Sequence, residues 1–178
     1  MRVLRLTNNA TNAAIPDKPN MVVLAAIHAR EYTTAELVTR FAEYLANGYG
    51  TDPDATWLLD NFLFHFILQG NPDGRKKAES GLSWRKNTDS DDGACPSNAY
   101  GVDLNRNFGW RFGQVTDGSS PDPCNVEYRG PGAESENETQ NILRYVIGTP
   151  GAGGTYTGGI FTDRRSDTGT APSDYRGM

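Results

Sequence analysis

The chain has no basic block. Its 178 residues carry 17 Lys and Arg against 22 Asp and Glu, a formal net charge of -5. An acidic balance without a Lys/Arg cluster argues against a nucleic-acid backbone or an anionic membrane as the main partner. Long apolar runs are missing too. The longest, Met21 to Ile27, is far too short to span a bilayer. The N-terminal stretch Met1-Arg2-Val3-Leu4-Arg5-Leu6-Thr7 puts charges where a secretory signal needs apolar residues, and it reads as a strand that begins in mid-protein. There is no internal repeat and no linker between two cores, so residues 1–178 read as a single domain. An apolar share of 37%, before glycine is counted, is ordinary for a globular chain and excludes disorder. What is present in excess is glycine and proline, 20 and 10 residues. Their joint share exceeds the usual total of about 12% and predicts long connecting loops, which often carry the site.

Val3 to Leu6, Met21 to Ile27 and Phe62 to Leu68 read as strands. The second is apolar on both faces, which suits a central strand of a covered sheet. Thr33 with Glu36 forms a capping-box pattern, after which Leu37, Val38, Phe41 and Leu45 fall on one helical face until Asn47-Gly48. Ala55 to Asp60 suggests a short helix, and Asn71-Pro72-Asp73-Gly74 a turn. Gly81 to Pro131 has little periodicity. Ser135 with Glu138 repeats the capping-box pattern and opens a helix with Ile142, Leu143 and Val146 facing inward, ending near Gly148; Gly151 to Gly159 reads as loop. Strand followed by helix places the chain in the α/β class.

His28-Ala29-Arg30-Glu31 sets an imidazole and a carboxylate three residues apart where a strand hands over to a helix, so that both can point at one ion. Two such ligands suit zinc, although the same Glu31 also suits the first turn of a helix. Trp84-Arg85-Lys86-Asn87 and Asp103-Leu104-Asn105-Arg106-Asn107-Phe108 place arginines in loops, one beside an amide. A guanidinium binds a carboxylate through a planar fork, and an asparagine adds a directed donor. Cys95 and Cys124 flank the second motif. Joined, they would close a loop of about 30 residues and stabilise by roughly 3.5 kcal/mol on chain entropy; two separate thiols are the other reading.

These stretches, with Asn71-Pro72-Asp73-Gly74, Tyr128-Arg129-Gly130 and Ser135-Glu136-Asn137-Glu138-Thr139, stand in the order of a known family. From Met21 to about Val146 the chain resembles the zinc carboxypeptidases of the carboxypeptidase A/T type, especially their bacterial secreted members. The resemblance implies an α/β fold with a mixed, mostly parallel central sheet flanked by helices. It implies that His28 and Glu31 are the first two ligands of one zinc ion and that Arg85 polarises the scissile carbonyl. Asn105 and Arg106 would hold the terminal carboxylate of a peptide substrate, and Arg30 would reach an upstream position. It further implies a Cys95–Cys124 disulfide, hence a secreted protein, and a monomer at full length, with neither nucleic acid nor membrane as partner.

A catalytic zinc keeps three protein ligands and an open position. The only other histidine, His65, lies inside a strand and reads as a packed, hydrogen-bonded residue. The family's third ligand, general-base glutamate and substrate-binding tyrosine would therefore follow Met178, leaving residues 1–178 as a catalytic domain incomplete at the C-terminus and inactive alone. Two other readings stand beside a peptidase: a non-catalytic relative that keeps Arg106 to bind peptides, and a zinc amidohydrolase acting on cell-wall peptides.

Overall fold

The computed structural model describes residues 1–8, 18–151 and 155–161. In chain order these form β1 (Leu4–Leu6), β2 (Asn20–Leu24), α1 (Tyr32–Gly48), α2 (Pro53–Asn61), β3 (Leu63–Ile67), α3 (Pro72–Glu79), a 3-10 turn (Leu104–Arg106), α4 (Asn137–Val146), β4 (Gly148–Pro150) and β5 (Tyr156–Gly158). They gather into two compact units. One comprises Arg2–Leu24, Glu36–Leu68 and the chain from Leu143 on; the other is built from Ala25–Ala35 and Gln69–Ile142. Among the described residues no helix is long and apolar enough to cross a membrane.

The first unit is organised by a three-stranded sheet in the order β1-β3-β2, with β3 antiparallel to β1 and parallel to β2. The sheet is thus mixed, as an α/β fold of this kind requires. All five residues of β3 are buried, whereas β2 is half-buried and ends at Leu24. Among the described residues the apolar run Met21 to Ile27 pairs on one side only, with β3, and is strand only as far as Leu24. Ala26 has φ 52°, a left-handed value that takes the chain out of the extended conformation.

Alternation along β3 sends Phe64 and Phe66 to one face and His65 to the other. Phe64 and Phe66 are wholly buried and pack with Ala42, Leu45, Ala55 and Leu59. Phe41 meets both rings edge-on, with centroids 5.9 and 5.8 Å away. Burying each aromatic side chain contributes about 1.5–3 kcal/mol. The buried stripe of α1 runs through Ala42 and Leu45 with Val38 and Phe41 beside it, while Leu37 is 67% exposed. Leu37 is one residue before Val38, about 100° around the helix, which carries it off the face it was expected to share.

His65 is 2% exposed. Its Nδ1 lies 2.6 Å from the Tyr145 hydroxyl and its Nε2 2.9 Å from Asn20 Oδ1. Because Oδ1 only accepts, Nε2 carries the proton and Nδ1 accepts from the tyrosine. This is the structural histidine expected from the strand context. Burial, with Arg5 adding to it, pulls its pKa down to about 4. The unfolded chain takes up this proton below about 6.5, whereas the folded chain stays neutral until about 4. Stability is therefore lost as pH falls through that window, by about 3 kcal/mol. Urea unfolding at pH 7 and pH 4.5 measures the loss, which should be much smaller in His65→Gln; equal losses in both proteins would remove His65 as the cause.

Helix starts differ from the expected pattern in three places. α1 begins at Tyr32, so Thr33 is not its cap, and Glu36 pairs with Arg40 at 2.8 Å. α4 begins at Asn137, and Ser135 Oγ donates to Glu136 Oε1 rather than capping with Glu138. Asn71-Pro72-Asp73-Gly74 is not a free turn but the start of α3: Asn71 Oδ1 accepts from Gly74 N at 3.0 Å and Pro72 occupies the first helical position. A Cβ at Gly74 would lie 2.6 Å from Lys86 O, so only glycine fits. The stretch read as loop after Gly151 contains β5, paired antiparallel with β4; residues 152–154 lie outside the described ones.

Candidate active site

His28 and Glu31 stand on the segment between β2 and α1, and Arg85 and Asp103 on irregular chain of the same compact unit. Backbone hydrogen bonds set the frame. Gly70 N and Asn71 N donate to Ala25 O and Ala26 O, and Ala29 N donates to Arg85 O at 3.1 Å. Ala26 N donates to Thr34 Oγ1. Ala29 packs with Ala78 and Trp84 in a small buried cluster against Tyr100, and Lys77 Nζ lies 4.6 and 4.5 Å from the Trp84 and Tyr100 ring centres. Arg85 thus follows a locked tryptophan whose Nε1 donates to Asn87 O.

His28 is 6% exposed and Asp103 wholly buried. Imidazole Nδ1 faces Glu31 Oε1 at 2.9 Å, and Nε2 faces Asp103 Oδ1 at 3.0 Å. Asp103 Oδ2 accepts from Arg85 Nε at 3.0 Å and from its NH2 at 2.9 Å, while Arg85 NH1 lies 3.6 Å from Glu31 Oε1. Asp103 Oδ1 also accepts from Asn105 N. Burial raises the Asp103 carboxyl, but the His28 hydrogen bond and the Arg85 charge outweigh it and hold it below the ordinary carboxylate range. The aspartate therefore stays ionised between an imidazole and a guanidinium.

Both ring nitrogens of His28 thus face carboxylate oxygens. Nε2 is turned to the buried Asp103 and Nδ1 to Glu31 Oε1, so the side of the ring facing Glu31 is the one an ion could share with that carboxylate. Two donor atoms 2.9 Å apart suit one zinc at ordinary bond lengths of about 2.0–2.2 Å, and a carboxylate behind a ligating histidine is the usual orienting partner. The chemistry and spacing of the pair fit the ion.

The other expected site residues are more dispersed. Asp103 caps the turn Leu104–Arg106. Asn105 is exposed, and Arg106 NH2 lies 3.3 Å from Glu127 Oε1 while its Nε is buried without a partner. Arg30 is exposed and donates to Ser83 Oγ at 3.2 Å. Cys95 and Cys124 are joined in a disulfide with Cα atoms 5.3 Å apart. The sequence places Asp103 in a motif without giving it a role; the signal available was that a ligating histidine needs an acceptor for its second nitrogen. A further group was not legible at all: carboxylate oxygens of Asp89, Asp92 and Glu136 lie within 4.8 Å of one another. Burial raises both Glu136 and Asp92, and Glu136 accepts from Asn87 Nδ2 and Ser135 Oγ.

A histidine–glutamate pair backed by an ionised aspartate and flanked by an arginine has the makings of a metal-assisted hydrolase. The chain belongs to the zinc carboxypeptidase family, whose model matches residues 1–158. It is 38% identical over 139 residues to a metallocarboxypeptidase A-like protein of Trichophyton verrucosum, covering 76% of this chain and 31% of that protein. Carboxypeptidase A2 of Mus musculus is 37% identical over 131 residues, 73% of this chain and 30% of its own length. Among solved structures, carboxypeptidase A from Helicoverpa armigera superposes with a TM-score of 0.66 at 30% identity, over 79% of this chain and 32% of its own. The chain therefore spans about a third of the length of these relatives.

Proposed function

We propose that this chain carries part of the catalytic centre of a secreted zinc metallocarboxypeptidase, which removes the C-terminal residue of peptides bearing a free carboxylate. The observation that carries the reading is the convergence of His28 Nδ1 and Glu31 Oε1 at 2.9 Å, with Arg85 and His28 sharing Asp103. His28 and Glu31 would hold the zinc, which when bound supplies a Lewis acid and lowers the pKa of water. With zinc on Nδ1, Asp103 would accept from Nε2–H and orient the ring. Arg85 is the preorganised cation for charge that develops on the substrate carbonyl oxygen. Arg106, with an unpartnered Nε, and Asn105 would bind the terminal carboxylate, and Arg30 would contact a residue upstream. A histidine ligand beyond these two must come from outside residues 1–178, because the only other histidine is engaged in β3. We take residues 1–178 as one stretch of a single catalytic domain, a reading supported by a family match that runs unbroken through residue 158. The disulfide supports an oxidising compartment and so secretion.

The test is an assay of the zinc-loaded protein, at the length of its relatives, on an N-acylated dipeptide and on its C-terminal amide. Hydrolysis of the acid only, abolished by a chelator, is expected. Arg85→Met should lower kcat about 10²–10³-fold, and Arg106→Met should act mainly through KM. Equal cleavage of acid and amide, or hydrolysis indifferent to chelation, would refute the proposal.

A further inference from the structure

Lys86 is 4% exposed and, among the described residues, has no carboxylate partner within ion-pair distance. Its Nζ donates instead to two backbone carbonyls, Pro123 O at 2.8 Å and Asn125 O at 2.9 Å. These flank Cys124, one half of the disulfide to Cys95. Burial pulls this ammonium down to about 8, against the opposing charges of Asp122 and Asp103. A buried cation whose hydrogen bonds go to two carbonyls loses them both if those carbonyls move.

The contacts close a ring. Asn125 O accepts from Lys86 Nζ and also from Tyr128 N at 3.2 Å. Tyr128 O accepts from Asp103 N at 2.8 Å. Asp103 holds Arg85, the residue before Lys86. Both partners of the Arg85–Asp103 pair are therefore tied to one carbonyl beside Cys124. No regular helix or strand holds residues 83–87; besides the Lys86 contacts, Ala29 N donates to Arg85 O, Asn71 Nδ2 to Lys86 O, Asn87 N to Val102 O and Asn87 Nδ2 to Glu136, and Trp84 packs with Ala29 and Ala78, which leaves the Lys86 side chain as the link from this segment to the chain around Cys124.

We propose that Lys86 is a positioning residue for Arg85, and that the Cys95–Cys124 disulfide sets its hold, so that reducing the disulfide releases the Arg85–Asp103 pair. This rests on the role of Arg85 in the proposed function. Reduction by a dithiol transfers two electrons and two protons to the two sulfurs, giving two thiols, while the dithiol closes to its own disulfide. The turn that carries Pro123 O and Asn125 O then loses its covalent tie to Cys95.

The test is to monitor the Arg85 Nε–H resonance by nitrogen–proton NMR of the 178-residue chain. In the oxidised protein this proton, bonded to a buried carboxylate, should exchange slowly. Reduction, with far-UV circular dichroism unchanged, should speed its exchange at least tenfold, and so should Lys86→Met in the oxidised protein. Lys86→Arg should restore slow exchange. Lys76→Met, which removes an exposed cation of the same unit paired with Asp73, should leave it slow. Unchanged Arg85 exchange after reduction overturns the proposal. Should Lys86→Met fail to fold, reduction of the parent chain and Lys86→Arg decide alone. The substrate assay on the zinc-loaded protein at the length of its relatives separates the two readings: Arg85 exchange that responds to reduction, in a protein that does not hydrolyse the acid substrate, keeps the positioning role and removes the proposed function.

Discussion

Replacing Asp103 by asparagine is expected to lower the stability of the chain by about 3–5 kcal/mol, the cost of leaving one partner of a buried ion pair alone. The carboxylate is wholly buried, Arg85 is buried over most of its side chain, and both Asp103 oxygens are occupied. In a chain of this size that is a fall in Tm of roughly 10 °C. The sign with pH comes from the depressed folded pKa. The stabilisation is present above the ordinary aspartate value of about 3.9 and disappears as pH falls through the lower folded value. Denaturant unfolding of Asp103→Asn, Arg85→Met and the double variant Asp103→Leu/Arg85→Met provides the test. The double variant should cost less than the sum of the singles, because no charge is left unpaired. A loss below about 0.5 kcal/mol for Asp103→Asn, the range of an ordinary surface change, would mean that Asp103 does not organise the site.

Zinc binding is the second large effect. Calorimetry on the purified chain should detect binding that His28→Ala and Glu31→Ala each abolish, since either change removes one of two facing donor atoms. Asp103→Asn should weaken binding about 10- to 100-fold without removing a ligand. Binding should also weaken on acidification, because both ligands bind metal in their deprotonated forms. Zinc bound with equal affinity by His28→Ala would show that the metal sits elsewhere, and the carboxylate group of Asp89, Asp92 and Glu136 would be the first place to look.

Much of the site is legible in the sequence because it is local. His28 and Glu31 are three residues apart, so their approach needs only the turn between a strand and a helix. β3 is legible as a buried strand from Leu63 to Ile67, and the hydrogen-bonded role of His65 comes with any burial of an imidazole in such a strand. The helix starts are less legible. A Ser or Thr three residues before a Glu caps a helix only if no better partner competes, and here Arg40 and Glu136 compete. Asn71 is ambiguous for the opposite reason: the residue types that favour a turn also favour a helix start, and whether the chain from Arg75 to Glu79 winds into a helix decides between them.

Residue order is enough to give the chemistry on offer: a histidine–glutamate pair at local spacing, arginines in loops, two cysteines, and an acidic chain with no apolar run that could span a membrane. Tertiary structure alone decided which of these groups meet. Asp103 lies 75 residues from His28 and 18 from Arg85, and no periodicity reports contacts at such separations. Their meeting depends on irregular chain held by backbone hydrogen bonds, a disulfide and the buried ammonium of Lys86. Local pattern encodes which face of a helix or strand is apolar; it does not encode which buried carboxylate a distant imidazole will find.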